Sequence, residues 1–495
     1  MARTTLLAAL LLVPLGVPTW AQVSVAPGQN RGRAQFQSKF DSQIVIGDGN
    51  VSRGSQAAYT QPNHLAFQAA LATLQSPGAK GGTIEVLPGT YVFDQQVQIA
   101  ASGVRIQGGA NARIVAGPGL SGPCFQVQAG ADDVVLEGLS IEDLRDPPPA
   151  GVTLVRVSAE RFSLLRCRLL RANLTPAGST SVAVRLVGAR SALLEGNRFV
   201  VGRLGDGGVV PNVGEADGVC LVRATNGRGL RMQGNSFESA LAPNAILCTL
   251  ESAIRLEDER DALLTGNVMS YLAARVAGST TTRPLLEVRT TQADPSIALT
   301  LRGGFVERLT CSSVVHVLGT PSAPARVMVS GNDFGRMNGI TDGGVYLEYA
   351  DGSVVSNNEF HNIGQADLVS PSVRVLRSDA VTLSGNSFSL PKHRIVWISE
   401  CAGALVASNS FGGLLTPGTP DAYLHLDDVS DASIVNNHFA ATHCLALSLT
   451  GTSGTASAFV CGNKFPRGCG PGGNPWIASG YTLIQCDGSQ GNPVF

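Results

Sequence analysis

The sequence predicts an all-β chain wound as a parallel β-helix, a solenoid of about 12 to 13 rungs. Three observations carry this. The tetrapeptide Gly-Asn-x-Phe returns behind short apolar segments, at Gly196–Phe199, Gly234–Phe237, Gly331–Phe334, Gly385–Phe388 and Gly462–Phe465. Looser copies begin at Gly266, Asn357, Ser408 and Asn436. From Asn to Asn the intervals are 38, 32, 65, 26, 28, 23, 28 and 26 residues, and a degenerate copy, Leu301-Arg302-Gly303-Gly304-Phe305, divides the longest into 37 and 28. A rung of roughly 22 to 30 residues with three short strands has the size of a parallel β-helix. A leucine-rich repeat needs a Leu-x-x-Leu-x-Leu frame, which is missing, and a propeller blade needs about four strands in a longer repeat. The third observation is composition: 58 Gly and only 15% charged residues suit a turn-rich chain of short, half-buried strands.

Taken in order, Arg3, the apolar stretch Leu6–Val17 and Thr19-Trp20-Ala21 read as a secretory signal, residues 1–21, cleaved after Ala21. No later stretch reaches the ~18 apolar residues of a membrane span. The expected product is secreted, periplasmic or at the cell surface. Residues 22–80 form an N-terminal extension with a capping helix, 81–465 the β-helix and 466–495 a C-terminal cap. Lys plus Arg number 36 against 37 for Asp plus Glu, so charge makes no case for nucleic acid or an anionic membrane. Ten Cys in an exported chain allow disulfides. Spacing permits Cys461–Cys469, whereas Cys167 sits at a repeat position and reads equally as a small buried residue.

Upstream of the clear copies, Ile106-Gln107-Gly108-Gly109, Leu136-Glu137-Gly138-Leu139 and Leu165-Arg166-Cys167 continue the register. Gly and Asn tolerate left-handed backbone and let the chain turn sharply between strands. Stacked Asn side chains can hydrogen-bond from rung to rung, and the following Phe packs inward on its neighbours. Every motif Asn is therefore expected to be scaffold.

These repeats resemble those of the right-handed parallel β-helix, or pectate-lyase-like, superfamily, in an exported bacterial type. A second resemblance lies near the N-terminus. Ile46-Gly47-Asp48-Gly49 is followed by a helical stretch about Pro62–Leu74 and by Gly81-Gly82-Thr83-Ile84-Glu85-Val86-Leu87-Pro88-Gly89-Thr90-Tyr91. Pectate-lyase-like enzymes and phage tailspikes often open in this order, which implies a helix capping the first rung. Gln61-Pro62-Asn63-His64 stands where the family usually has Asp-Asp-Thr. The resemblance is specific for fold, but the fold hosts lyases, hydrolases, epimerases and binding proteins. It also leaves open whether the chain is a monomer or, as tailspikes are, a trimer.

In that family the outward face of each rung's first strand forms the substrate groove. Counting back from each Gly-Asn motif gives alternating segments, and the residues between inward-facing neighbours point out. The resulting column is Arg156, Arg185, Cys220, Arg255, Glu287, His316, Tyr346, Arg374, Trp397, His425 and Ala446. A parallel column two residues on holds Glu257, Arg289, Glu348, Ser399 and Asp427. This set is richer than the Thr, Ser, Asn and Lys of a merely solvated sheet, although Arg beside Glu also suits cross-strand ion pairs. An outward Trp suits a sugar ring.

Two chemistries fit. Elimination on an acidic polysaccharide needs a cation for the uronate carboxylate, a base for the C5 proton and an acid for the leaving oxygen. His316 suits the base, Tyr346 is adjacent, Arg289 and Arg374 flank them, and Glu287 completes the catalytic set. Arg255, Glu257, Arg289, Glu348, Trp397, His425 and Asp427 are the expected substrate contacts. Inverting glycoside hydrolysis would pair Glu287 with Glu348, at the upper edge of the carboxylate separation it requires, or Glu257 with Glu287. Polygalacturonase-like Asp clusters and a Gly-His-Gly signature are absent, and so is a calcium-binding Asp cluster, so neither cofactor nor metal is expected. Asp427-Asp428 and Asp132-Asp133 read as turns. The alternative is a non-catalytic β-helix that binds glycan or serves structure.

Overall fold

The computed structural model describes residues 43–47, 61–75, 81–109, 111–145, 152–171, 181–202, 219–240, 248–274, 281–337, 340, 342–363, 370–389, 395–412, 422–440, 445–451, 456–465, 476–479 and 482–485. All of them lie in the larger of two units into which the chain divides, Phe40–Phe495. The expected signal peptide and Cys469 fall outside these residues. Cys461 is disulfide-bonded.

Every ladder between the described rungs is parallel, and the strands fall into three long sheets and one two-stranded sheet, Cys248–Leu250 with Leu272–Ala274. Sheet 1 has 14 strands, sheet 2 has 16 and sheet 3 has 13. One rung shows the winding. Ser181–Val187 belongs to sheet 1, Leu193–Glu195 to sheet 2 and Arg198–Val201 to sheet 3, before the chain returns to sheet 1 at Val219–Thr225. Alternate residues of each strand turn inward, so Val184, Leu186, Leu194 and Phe199 of this rung are all buried.

The Gly-Asn corner joins sheet 2 to sheet 3, and its two residues divide the work. The first takes the left-handed backbone, at φ 63° for Gly196, 65° for Gly385 and 66° for Gly462, and also where Asn357 (54°), Ser408 (56°) and Asn436 (56°) replace glycine. The second residue, the Asn, does not need that conformation; its side chain is the tie. Asn386 donates to Asn409 Oδ1 at 3.0 Å and to the Val355 carbonyl at 2.9 Å. Its own Oδ1 accepts the backbone N–H and the side-chain amide of Asn358, both at 3.0 Å. The ladder runs through Asn197, Asn235 and Asn267, then again from Asn332 to Asn463. Cys167 and Gly304 stand where an Asn would, and each donates its N–H to the next Asn at 2.9 Å. Cys167 is a free, buried thiol, and burial pushes its pKa up to about 12. Just past the corner, Phe334, Phe360, Phe388, Phe411, Phe439 and Phe465 stack in sequence with centroids 4.7 to 5.1 Å apart.

At the N-terminal end a helix, His64–Leu74, buries Ala66, Phe67, Ala70, Leu71 and Leu74. Asn63 caps it by accepting the Leu65 N–H at 3.0 Å. Phe67 meets Phe93 and Phe125 edge-on, at 5.0 and 6.1 Å, and so seals the open end of the core. At the other end Trp476–Ser479 adds to sheet 1 and Thr482–Gln485 to sheet 2.

Candidate functional site on the outward face of sheet 1

Strand register fixes which side chains share a column. Arg156, Arg185, Arg223, Arg255, Glu287, His316, Tyr346, Arg374, Trp397, His425 and Ser448 are direct cross-rung partners. Two expected members are corrected. Cys220 pairs with Val182 and Ser252, near the start of its strand, and Arg223 takes its place. The frame slipped because Arg223 is bracketed by Val222 and Ala224, and a small Ala fills the inward position where Val, Ile or Leu was required. Ala446 is two residues early; Ser448 pairs with His425, and Ala446 is fully buried. The second column runs through Glu257, Arg289, Leu318, Glu348, Leu376, Ser399 and Asp427. Two residues before the column, Leu154, Ala183, Leu221, Ala253, Leu285 and Val314 belong to the buried core, so the polar face begins only after them.

The columns differ along their length. On the Arg223 to Glu287 rungs charges are paired. Arg223 donates to Glu257 at 2.9 Å, and Arg255 lies 2.7 Å from Glu257, 3.2 Å from Glu251 and 3.3 Å from Glu287. Arg289 donates to the buried Glu287 at 2.6 Å. Burial would raise the Glu257 pKa, but the Arg223 and Arg255 guanidiniums outweigh it and hold the carboxyl below its ordinary range. Arg289 was one of two cations expected to meet a uronate; it is engaged by Glu287.

The next rungs are aromatic and far less paired. His316 lies against Tyr346, centroids 4.7 Å apart and tilted by 31°. Neither ring nitrogen of His316 has a hydrogen-bond partner among the described residues. Burial lowers its pKa, against a smaller upward pull from Glu287, Asp342 and Glu348. The Tyr346 hydroxyl donates to Glu348 at 3.0 Å, and burial together with the Glu348 charge pushes its pKa up to about 12. The Arg374 guanidinium sits between two rings, 5.0 Å from the Tyr346 centroid and 4.8 Å from that of Trp397. Among the described residues it forms no ion pair, and its Nε is buried without a hydrogen bond. Trp397 meets His425 edge-on at 6.1 Å, and Asp427 accepts the Thr450 hydroxyl at 2.9 Å.

Sequence reading missed Asp342, which precedes the Gly343–Glu348 strand and acts electrostatically on both His316 and Tyr346. A loop residue carries no periodic signal. Among the described residues no group of three or more His, Cys, Asp or Glu is arranged to hold a metal, and no helix is long and apolar enough to cross a membrane.

Residues 322–487 match the family model for a right handed beta helix region. No curated protein sequence matches the chain. Among solved structures, a tailspike protein of E. coli bacteriophage HK620 is 14% identical with a TM-score of 0.51, over 87% of this chain and 76% of that one. The A-module of an Azotobacter vinelandii mannuronan C-5 epimerase is 12% identical, with a TM-score of 0.46, over 85% and 95%. A DFA-IIIase from Arthrobacter chlorophenolicus is 12% identical, with a TM-score of 0.47, over 81% and 97%. The parallel winding and the matched segment together make the chain a right-handed parallel β-helix.

Proposed function

We propose that the protein is an exported polysaccharide lyase that cleaves an acidic glycan by β-elimination on the outward face of sheet 1. One observation carries the reading: His316, Tyr346 and Arg374 occupy three successive rungs, about 4.8 Å apart, and stand side by side as an imidazole, a phenol and a guanidinium. His316 takes the C5 proton. Its lowered pKa keeps the imidazole neutral at neutral pH, and both ring nitrogens are buried without a hydrogen-bond partner among the described residues, so substrate must reach one of them. Tyr346, whose pKa lies far above neutrality, keeps a proton to give to the leaving oxygen. Arg374 neutralises the uronate carboxylate and so favours loss of the C5 proton. Trp397 and His425 extend the surface along the next two rungs, where a further sugar can stack. Arg255, Glu257, Glu287, Arg289 and Glu348 brace this centre, and Asp427 closes it beyond Trp397.

The hydrolase reading is weaker. Glu287 is held between Arg255 and Arg289, and Glu348 is engaged by Tyr346, so neither presents a free carboxyl to a glycosidic oxygen. A non-catalytic glycan-binding role keeps one specific support, the Arg374 guanidinium between two aromatic rings, which is a binding platform whether or not a bond is broken.

The test is absorbance near 235 nm, where elimination creates an unsaturated product, over a panel of uronate polymers. Activity is expected on at least one, and His316→Ala should lower it by about 10² to 10⁴-fold with the fold intact. Since the His316 pKa lies below its ordinary 6.5, the acid limb of the activity profile should also fall below pH 6.5. Absence of both unsaturated product and new reducing ends would leave only the binding role. Full activity in His316→Ala would remove the base assignment.

A further inference from the structure

The lower end of the same face carries a feature that catalysis does not use. Arg156, Arg185 and Arg223 are direct cross-rung partners on three consecutive strands, followed at once by Arg255. Like charges placed directly opposite each other in a sheet are destabilising. The available carboxylates do not relieve this stack evenly. Glu257, Glu251 and Glu287 serve Arg223 and Arg255, whereas Arg156 and Arg185 form no ion pair among the described residues. Arg185 keeps a buried Nε with no hydrogen-bond partner. Its pKa is lowered by burial first and then by the charges of Arg223 and Arg156. Below the stack the column continues as Gln126 and Gln98, which are neutral donors.

We infer that the Arg156–Arg185–Arg223 stack is a separate binding strip for a linear polyanionic glycan, one that holds the chain beside the catalytic centre. This deepens the proposed function and rests on the reading that the sheet 1 face takes an acidic glycan. A polymer with a negative charge on each sugar can place anionic groups along a column of guanidiniums that repeats every ~4.8 Å. Arginine suits the task because it is always charged and presents its donors as a fork that matches a carboxylate or a sulfate. From Arg156 to His316 is five rungs, about 24 Å. The strip therefore acts on polymers and leaves oligomers confined to the His316–Trp397 region untouched. It also gives the face a direction, with cation-rich rungs at one end and aromatic rungs at the other. A basic strip is open to nucleic acid as well, but the near-neutral chain and the sugar-suited aromatic rungs on the same face favour glycan.

The experiment is affinity electrophoresis of the whole chain and of an Arg156→Gln, Arg185→Gln double variant, at low and high salt. The probes are polygalacturonate, alginate, heparin, neutral dextran and double-stranded DNA. The expected result is salt-sensitive retention by at least one anionic glycan and none by dextran. Retention should weaken about tenfold or more in the double variant. Tighter binding of the uronate polymers or of heparin then identifies carboxylate or sulfate as the recognised group. The double variant should also melt at the same or a higher temperature at low salt, since it removes repulsion; a purely structural role would lower it. Equal glycan affinity in the two proteins overturns the inference, and so does equal retention by DNA. Absorbance near 235 nm is scored on the same preparations. Loss of lyase activity from the proposal with the strip's binding intact removes only the catalytic reading, and the reverse result removes only the strip.

Discussion

From Asn332 to Asn463 the ladder is broken nowhere, and each Asn between these two gives and receives the same hydrogen bonds. On the outward face of sheet 1, over the same rungs, the column changes from His316 to Tyr346, Arg374, Trp397 and His425, and the His316 ring nitrogens and the Arg374 Nε have no hydrogen-bond partner among the described residues. Both regions stack side chains at the rung spacing, but they satisfy opposite demands. The corner is dry, so each amide must find a partner within the protein. On the face His316 and Arg374 are half-buried, and their unmet nitrogens lie beneath the surface, where a ligand can supply the partner that the protein does not. Repetition marks the scaffold, and variation with unmet hydrogen bonds marks the candidate site.

The sharpest way to break this contrast is at the corner. Asn386→Ala strands the Asn358 N–H and the Val355 carbonyl in a buried site and leaves the Asn358 amide short of one acceptor. With each unsatisfied buried group worth ~1–3 kcal/mol, the loss should be about 4 kcal/mol. Urea unfolding followed by circular dichroism reads it directly. A loss below about 1 kcal/mol would mean that the ladder is decoration rather than support.

The difference also explains what could be read in advance. Asn and Phe recur with the same identity, so counting alone located the corner and the core stack. The face had to be found by inference from its inward neighbours, and that rule failed where Ala224 replaced a larger apolar residue and where Leu445-Ala446-Leu447 imitated the true frame Leu447-Ser448-Leu449. Ion pairing was not legible at all. Arg255, Arg289 and Arg374 look alike in the sequence, yet two are held by carboxylates and the third lies between rings. Cross-rung reach of long side chains decides this, and spacing along the chain does not encode it.

The corner between sheets 1 and 2 offers an intermediate case, because one residue there departs from its column. Glu259 is buried at 4% exposure beside Gly227, where an added Cβ would come within 2.4 Å of the Glu259 carboxyl. Burial pushes the Glu259 pKa up to about 7, while the backbone N–H groups of Leu230 and Gly227 pull it down. The folded pKa is thus above the unfolded value of 4.5. Below pH 4.5 both states hold the proton; as pH rises toward 7 the unfolded state releases it first, and stability falls. The decline from this one group should be about 3 kcal/mol and complete above pH 7. Glu259→Gln keeps an acceptor for both N–H groups and should remove that part of the pH dependence, as measured by urea midpoints at pH 4.5 and pH 8. An unchanged difference between the two pH values would show that the carboxyl is ionised in the folded protein.

The smallest effect tests the other side of the contrast. Trp397 is half-buried, and its contacts include the Arg374 guanidinium above its ring and the edge of His425. A cation–π contact at a partly exposed site is worth ~0.5–1 kcal/mol, so Trp397→Ala should lower stability by about 1 kcal/mol, far less than the corner substitution. If sugar stacks on the ring, the same change removes an aromatic contact of about 1 kcal/mol from binding, roughly a fivefold loss of affinity for the glycan that the wild type retains. Urea unfolding and affinity electrophoresis on one preparation give both numbers. A stability loss near that of Asn386→Ala with unchanged affinity would make Trp397 scaffold after all. The reverse pattern, little stability lost and weaker binding, is expected of a side chain that the fold holds out for a ligand.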